Sequence, residues 1–270
     1  MRTAQTPILA AALAAGLALG ALPTRARAER APSYCPDLDD SVRAYAIGSS
    51  TLGNALGPIL KDELAADDIP FSRYGKASSG LARPDFHDWV KLAPGLIRRH
   101  RPDVVVVSLG TNDYQDLFHH GKWVSTTSDR WDTLYRARVD RLLKEVGGDG
   151  RLVVWVGNTA FDGKRAKRMA PRVAKIIKAA VRAYAKAGGH AVYVDAYHKT
   201  ADRHGEALTR AVLPGSGSKK KVNIRHPDGV HLTHDAVRWL LAEPVLTAVR
   251  ACLPSDDAAR ADDSADESGG

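Results

Sequence analysis

Three apolar runs limit what this chain can fold into: 42–47 (Val-Arg-Ala-Tyr-Ala-Ile), 104–109 (Val-Val-Val-Val-Ser-Leu) and 152–156 (Leu-Val-Val-Trp-Val). The last two carry no alternating polar residues, so both faces of each strand are expected to be covered. Segments of helical period lie between the runs. Leu52, Leu56, Ile59, Leu60 and Leu64 recur at helical spacing after the first. A stripe of Phe86, Trp89, Val90 and Leu96 predicts a helix over 85–99, and further helices are predicted over 131–146 and 166–187. Short strands are predicted at 71–74 and 191–195, an irregular stretch at 111–130, and a loop at 214–227. A last helix starts at Thr233 or His234 and runs to Cys252, with a break expected near Pro244. Strands alternating with helices call for a parallel sheet with helices on both sides. In such sheets ligands bind beyond the carboxyl ends of the strands. Ser50, Ser79-Gly80, Asn112 and Asn158 each follow a different strand, so sequence order puts all four on one rim.

The ends of the 270-residue chain read differently from its middle. Arg2, the apolar stretch 7–22 and Ala26-Arg27-Ala28 have the layout of a secretory signal over 1–28, cleaved after Ala28. The apolar stretch is shorter than the ~20 residues of a spanning helix, so no stable membrane anchor is expected and the mature chain would be periplasmic or secreted. Residues 255–270, rich in Asp and Ser, read as a disordered acidic tail. One domain is expected over 29–254. Of the net +8, the first 28 residues hold three arginines and 255–270 carries −5, which leaves +10 on 29–254. Such a surface suits an anionic polysaccharide or is simply solvated, and an exported chain without a nucleic-acid motif is not expected to meet nucleic acid. After export, Cys35 and Cys252 could form a disulfide; two separate buried thiols are the alternative.

The candidate chemistry lies in four short blocks. Ser50 stands where a strand gives way to a helix, a position that suits either a nucleophile or a helix cap. His231 is a candidate base, and Asp228, three residues earlier, could orient its ring. The Ser50 N–H, Gly80 and the Asn112 amide could bind a developing oxyanion. His226, Asp228, His231, His234 and Asp235 match no zinc spacing, and Gly48, Gly53 and Gly57 match no phosphate loop, so neither metal nor cofactor is expected. Tyr114, His119, His120, Trp123 and Trp131 could contact substrate or anchor their loop. The run Lys219-Lys220-Lys221 could attract an anionic substrate.

Gly48-Ser49-Ser50, Ser78-Ser79-Gly80-Leu81, Gly110-Thr111-Asn112-Asp113 and Asp228-Gly229-Val230-His231 together resemble the four marker blocks of the SGNH (GDSL-type) esterase superfamily. The stretch from Ser79 to Trp89 is similar to an exported bacterial branch of it, and the resemblance spans roughly residues 42–250. It implies a three-layer α/β/α fold with a flavodoxin-like parallel sheet. It also implies Ser50 as nucleophile, Asp228 and His231 as its partners, and an oxyanion hole of Ser50, Gly80 and Asn112. The expected activity is hydrolysis of an O-acyl ester, with acetyl on an envelope or extracellular carbohydrate the leading substrate and a lipid or lysophospholipid ester the other. Transfer of an acetyl group to a polysaccharide, or an inactive binding or scaffold protein on the same fold, are the alternatives. The chain departs from the pattern at Ser49, where the superfamily has Asp, and this makes Ser49 a rival nucleophile.

Overall fold

A computed structural model describes residues 31–39 and 41–254. The expected signal segment and acidic tail lie outside the described residues. The elements run β1 (Ala44–Gly48), α1 (Gly57–Ala66), β2 (Phe71–Gly75), α2 (Trp89–His100), β3 (Val104–Ser108), β4 (Leu117–His119), β5 (Lys122–Val124) and α3 (Asp129–Gly147). They continue with β6 (Leu152–Val156), α4 (Lys164–Lys186), β7 (Ala191–Val194), α5 (Ala196–Thr200), β8 (Arg210–Ala211), β9 (Val222–Asn223), α6 (His234–Val237) and α7 (Glu243–Arg250).

The main sheet has the order β2-β1-β3-β6-β7, and every pairing in it is parallel. The continuous apolar runs are explained by a core on each face. Tyr45, Ile47, Val105, Val107, Val153 and Trp155 point into one core, with α2, α3 and α4. Their neighbours Ala44, Ala46, Val104, Val106, Leu152 and Val154 point into the other, with α1 and the last helix. The strand period of two sends successive side chains to opposite faces, so both positions must be apolar. Each buried Val or Leu contributes about 1.5–3 kcal/mol.

Three local expectations are corrected. Helix α2 starts at Trp89, four residues later than its apolar stripe suggested. Asp88 caps it, accepting from Lys91 N–H, while Phe86 stays exposed in the preceding loop. The stretch 111–130 is not wholly irregular, because β4 and β5 form an antiparallel hairpin. The last helix is not broken at Pro244. A π turn over Arg238–Ala242 joins α6 to α7, and Glu243 N–H bonds five residues back to Arg238 O. A second π turn, Leu52–Leu56, precedes Pro58, with Gly57 N–H bonded to Leu52 O. In both, the wide turn comes just before a proline that has no N–H to give, and the helical path continues through it.

Candidate active site

Gly48 ends β1 against β3. A Cβ there would lie 2.6 Å from Ser108 O, so only glycine fits the close approach. The chain then turns: Ser49 N–H donates to Ser108 O, Lys76 N–H to Gly48 O, and Gly53 N–H to Ser49 O. Ser49 is buried at 3% exposure, whereas Ser50 is half-buried at the helix start. The Ser50 N–H is among the first donors of that helix, which have no acceptor within it and lie at its positive end.

On the far side of the rim, Gly229 takes a left-handed φ of +70°. The turn brings Val230 N–H and His231 N–H onto Asp228 Oδ1, both at 2.9 Å. Asp228 Oδ2 lies 2.7 Å from His231 Nδ1. His231 Nε2 lies 3.5 Å from Ser50 Oγ. The hydrogen bond from the His231 ring, then the two backbone N–H groups, hold the Asp228 carboxyl well below the usual carboxylate range. An ionised carboxylate only accepts, so Nδ1 carries the proton and Nε2 presents its lone pair to Ser50. The 3.5 Å separation is long for a hydrogen bond, as such contacts often are before a substrate binds.

Arg225 supports this turn from beneath and has no signature in the sequence. It is buried. Its Nη1 donates to Val230 O at 3.1 Å, its Nε to Leu208 O at 2.8 Å, and its Nη2 to Thr200 O at 3.3 Å and to Ala160 O. Burial lowers its pKa, partly offset by Asp162, Tyr114 and Asp228.

The second and third blocks are tied together. Asn112 Nδ2 donates to Ser79 O at 2.9 Å, which leaves its second N–H for another acceptor. Asp113 is buried and accepts from Ala82 N–H at 2.7 Å and Tyr135 Oη–H at 2.8 Å. Gly80 is buried, and a Cβ on it would collide with Asp113 Oδ1. A small pocket of about 30 Å³ is lined by Ser49, Ser50, Thr111, Asn112, Thr159, Val230 and His231. A second, of about 230 Å³, opens beside it between Thr51, Asn54, His226, Leu232 and Val237 and shares Ser50 and His231. Gly80 lines neither. Clefts of about 530 and 610 Å³ lie elsewhere, but neither touches Ser50 or His231.

Other sequence candidates are placed differently. Asn158 is buried and donates to Tyr114 Oη and Ala170 O, so it braces the fold behind the rim. Tyr114 and Trp131 are core residues that anchor their segment, whereas Trp123 is exposed. The lysines 219–221 are exposed and line neither pocket at Ser50. No group of three metal-ligating side chains occurs among the described residues. No described helix is long and apolar enough to cross a membrane. Cys35 and Cys252 form a disulfide.

The sequence profile of a family described as "Protein of unknown function (DUF459)" matches residues 43–248. The chain belongs to DUF459. No curated protein matches its sequence. Solved structures do match its fold. A protein assigned as an acylhydrolase from Bacteroides fragilis aligns with a TM-score of 0.55 at 16% identity, over 83% of this chain and 93% of that one. A GDSL-like lipase from Bacteroides thetaiotaomicron gives 0.53 at 15%, over 79% and 93%. An acetylxylan esterase from Geobacillus stearothermophilus gives 0.53 at 13%, over 79% and 96%. This DUF459 chain therefore has the SGNH hydrolase fold, with its Ser50–His231–Asp228 constellation at the carboxyl ends of the strands.

Proposed function

We propose that this protein is a serine ester hydrolase that removes an acetyl-sized group from an oxygen of a carbohydrate. The observation that carries the reading is the ordered line Asp228–His231–Ser50, with the tautomer fixed at the Asp228 end. In the proposed reaction Ser50 Oγ attacks the ester carbonyl as His231 Nε2 takes its proton. The oxyanion is held by Ser50 N–H and the free N–H of Asn112, with Gly80 N–H the third donor that the superfamily resemblance implies. One such donor contributes about 3–4 kcal/mol to lowering the barrier. His231 then protonates the departing alcohol, and water repeats the sequence on the acyl-enzyme.

The small pocket supports a short acyl group. About 30 Å³ accommodates roughly two water-sized probes, enough for a methyl group, and the adjoining pocket of about 230 Å³ is left for the alcohol part of the ester. His231 and Asp228 are each about half exposed, so water reaches the acyl-enzyme freely, which favours hydrolysis over transfer to a sugar hydroxyl. The acetylxylan esterase among the fold neighbours supports a carbohydrate ester as the substrate class. The disulfide suits work in an oxidising compartment after export.

The test is mass mapping after treatment with a fluorophosphonate, which reports an activated serine without knowledge of the substrate. A single adduct on Ser50, absent from His231→Ala, is expected. An unlabelled but folded protein beside a labelled control esterase would show that Ser50 is not activated, and would return the chain to a binding role.

A further inference from the structure

The β4–β5 hairpin lies outside the main sheet, yet it is firmly held. Phe118 N–H donates to Ala82 O at 2.9 Å, pinning the hairpin to the segment that carries Gly80. Asp116 Oδ1 accepts from Thr126 N–H at 2.9 Å and closes its base. His120 and Gly121, with φ of +47° and +78°, form its tight turn.

This hairpin displays Trp123, which is 55% exposed. Phe118 packs edge-on against the indole at 5.1 Å, and the Arg83 guanidinium lies 4.8 Å from the ring centre. Arg83 is itself fixed by Asp85 at 2.8 Å and reaches Gln115 Oε1 at 3.5 Å. Gln115 Nε2 donates to Asn112 O. Direct contacts thus run from Trp123 to Asn112, at the lip of the Ser50 pocket. Beside the hairpin, the cleft of about 610 Å³ opens against α2 and α3. Phe118 and Leu134 give it apolar wall, while Asp85, Lys91, His119 and His120 give it polar groups. The acyl chemistry uses none of these residues.

A sugar ring has an apolar C–H face and an edge of hydroxyls that both donate and accept. The C–H face suits a rigid aromatic ring, which presents a large surface at low entropic cost. The hydroxyl edge suits a mixture of carboxylate, imidazole and ammonium groups. Burial, then His120, Arg130 and Arg138, lower the His119 pKa, so its ring is neutral at pH 7 and offers one donor and one acceptor. A fatty chain would leave these polar groups without partners. The cleft's two carboxylates are paired, Asp85 with Arg83 and Asp88 with Arg138, and Lys91 and Arg141 add positive charge, so the cleft also accepts the carboxylates of an acidic sugar.

We infer that Trp123 and the cleft between the hairpin, α2 and α3 form an oligosaccharide subsite, which holds one part of a glycan while its ester enters the Ser50 pocket. This rests on the esterase reading for its purpose, but the binding itself can be measured without turnover. The experiment is calorimetric titration of the full chain with unacetylated xylohexaose, cellohexaose and a galacturonic acid hexamer. Ser50→Ala and Trp123→Ala are titrated alongside, with folding checked by thermal melts. At least one hexasaccharide is expected to bind the parent protein and Ser50→Ala equally. Trp123→Ala is expected to bind it roughly tenfold more weakly. Absence of binding by all three sugars, or equal binding by folded Trp123→Ala, overturns the subsite. Binding that depends on Trp123 in a protein whose Ser50 takes no fluorophosphonate would uphold the subsite and refute the esterase.

Discussion

Ser49 and Ser50 are adjacent, and the structure separates what each can do. Ser49 is buried against β3, with its N–H on Ser108 O, while Ser50 faces His231 Nε2 across 3.5 Å. If Ser50 is the nucleophile, Ser49→Ala keeps p-nitrophenyl acetate turnover within several-fold, and Ser50→Ala loses it by at least roughly a thousandfold. The opposite ranking would move the nucleophile by one residue. The Asp228-x-x-His231 spacing made that pair legible in the sequence, because an Asp three residues ahead can fold back onto the ring within one turn. Arg225 was not legible. Its acceptors are carbonyls at positions 160, 200, 208 and 230, and carbonyls belong to every residue. We expect Arg225→Gln to slow fluorophosphonate labelling of Ser50 by roughly 10–100-fold at temperatures where the variant is still folded. Val230 O loses its partner and the Asp228–His231 turn loosens, and displacements of about 1 Å carry costs of this size. Unchanged labelling in the folded variant would reduce Arg225 to a structural clamp.

At the scale of elements, the periodic segments were readable and the punctuation was not. The apolar stripe of α2 was visible, but a hydrophobic period does not say where a helix begins; the Asp88 cap does, and Arg138 of α3 binds Asp88 at 2.7 Å. The hairpin turn escaped notice because its residues are His-Gly rather than the usual Asn-Gly. Pro244 reads as a helix breaker, yet the π turn before it accommodates the missing donor. The block pairs were readable as motifs, but not the reason they pair. That reason is Asp113, whose carboxylate occupies the space a Cβ on Gly80 would need and accepts from the same loop. Burial raises its pKa, against the opposing pull of Ala82 and Leu81 N–H, Tyr135 and Arg138. Folded Asp113 therefore holds its proton at a pH where the unfolded chain has lost it. Above the ordinary carboxylate value of about 3.9, the native state binds more protons, so this group's contribution to stability falls as pH rises through the folded value. Asp113→Asn removes that dependence. A series of melting temperatures from about pH 4 to 7 should fall less, or rise more, with pH in the variant than in the parent. Parallel curves would show that Asp113 does not titrate differently on folding.

At the scale of the whole molecule, the alternation of strands and helices fixed the class, while the order of strands in the sheet came from resemblance and from no pattern within the chain. Nothing periodic in β2, β1 and β3 states that β1 lies between the other two. The disulfide was half legible, since two cysteines in a chain expected to be exported suggest a bridge without proving that the two ends meet. In the structure Tyr34, Cys35 and Leu38 pack on the core that also holds α7, and Cys252 follows α7 by two residues. The bridge thus staples the N-terminal arm to the far end of the same helical segment that begins three residues after His231. Seventeen helical residues, from His234 to Arg250, separate the two ends by roughly 25 Å at about 1.5 Å per residue. Stability and chemistry should therefore respond separately. Closing a loop of 217 residues restricts the unfolded chain by roughly 3–5 kcal/mol, equivalent to about 10 °C in melting temperature for a domain of this size. Cys252→Ser, or reduction of the bridge, should lower the melting temperature by about that amount. At 25 °C the rate of Ser50 labelling should stay the same, because His231 lies in the turn that Arg225 holds, at the opposite end of the helical segment from the bridge. A variant that melts normally would mean that the arm is held by packing alone. One that loses labelling while still folded would mean that the bridge transmits its constraint along the whole helix to the His231 turn.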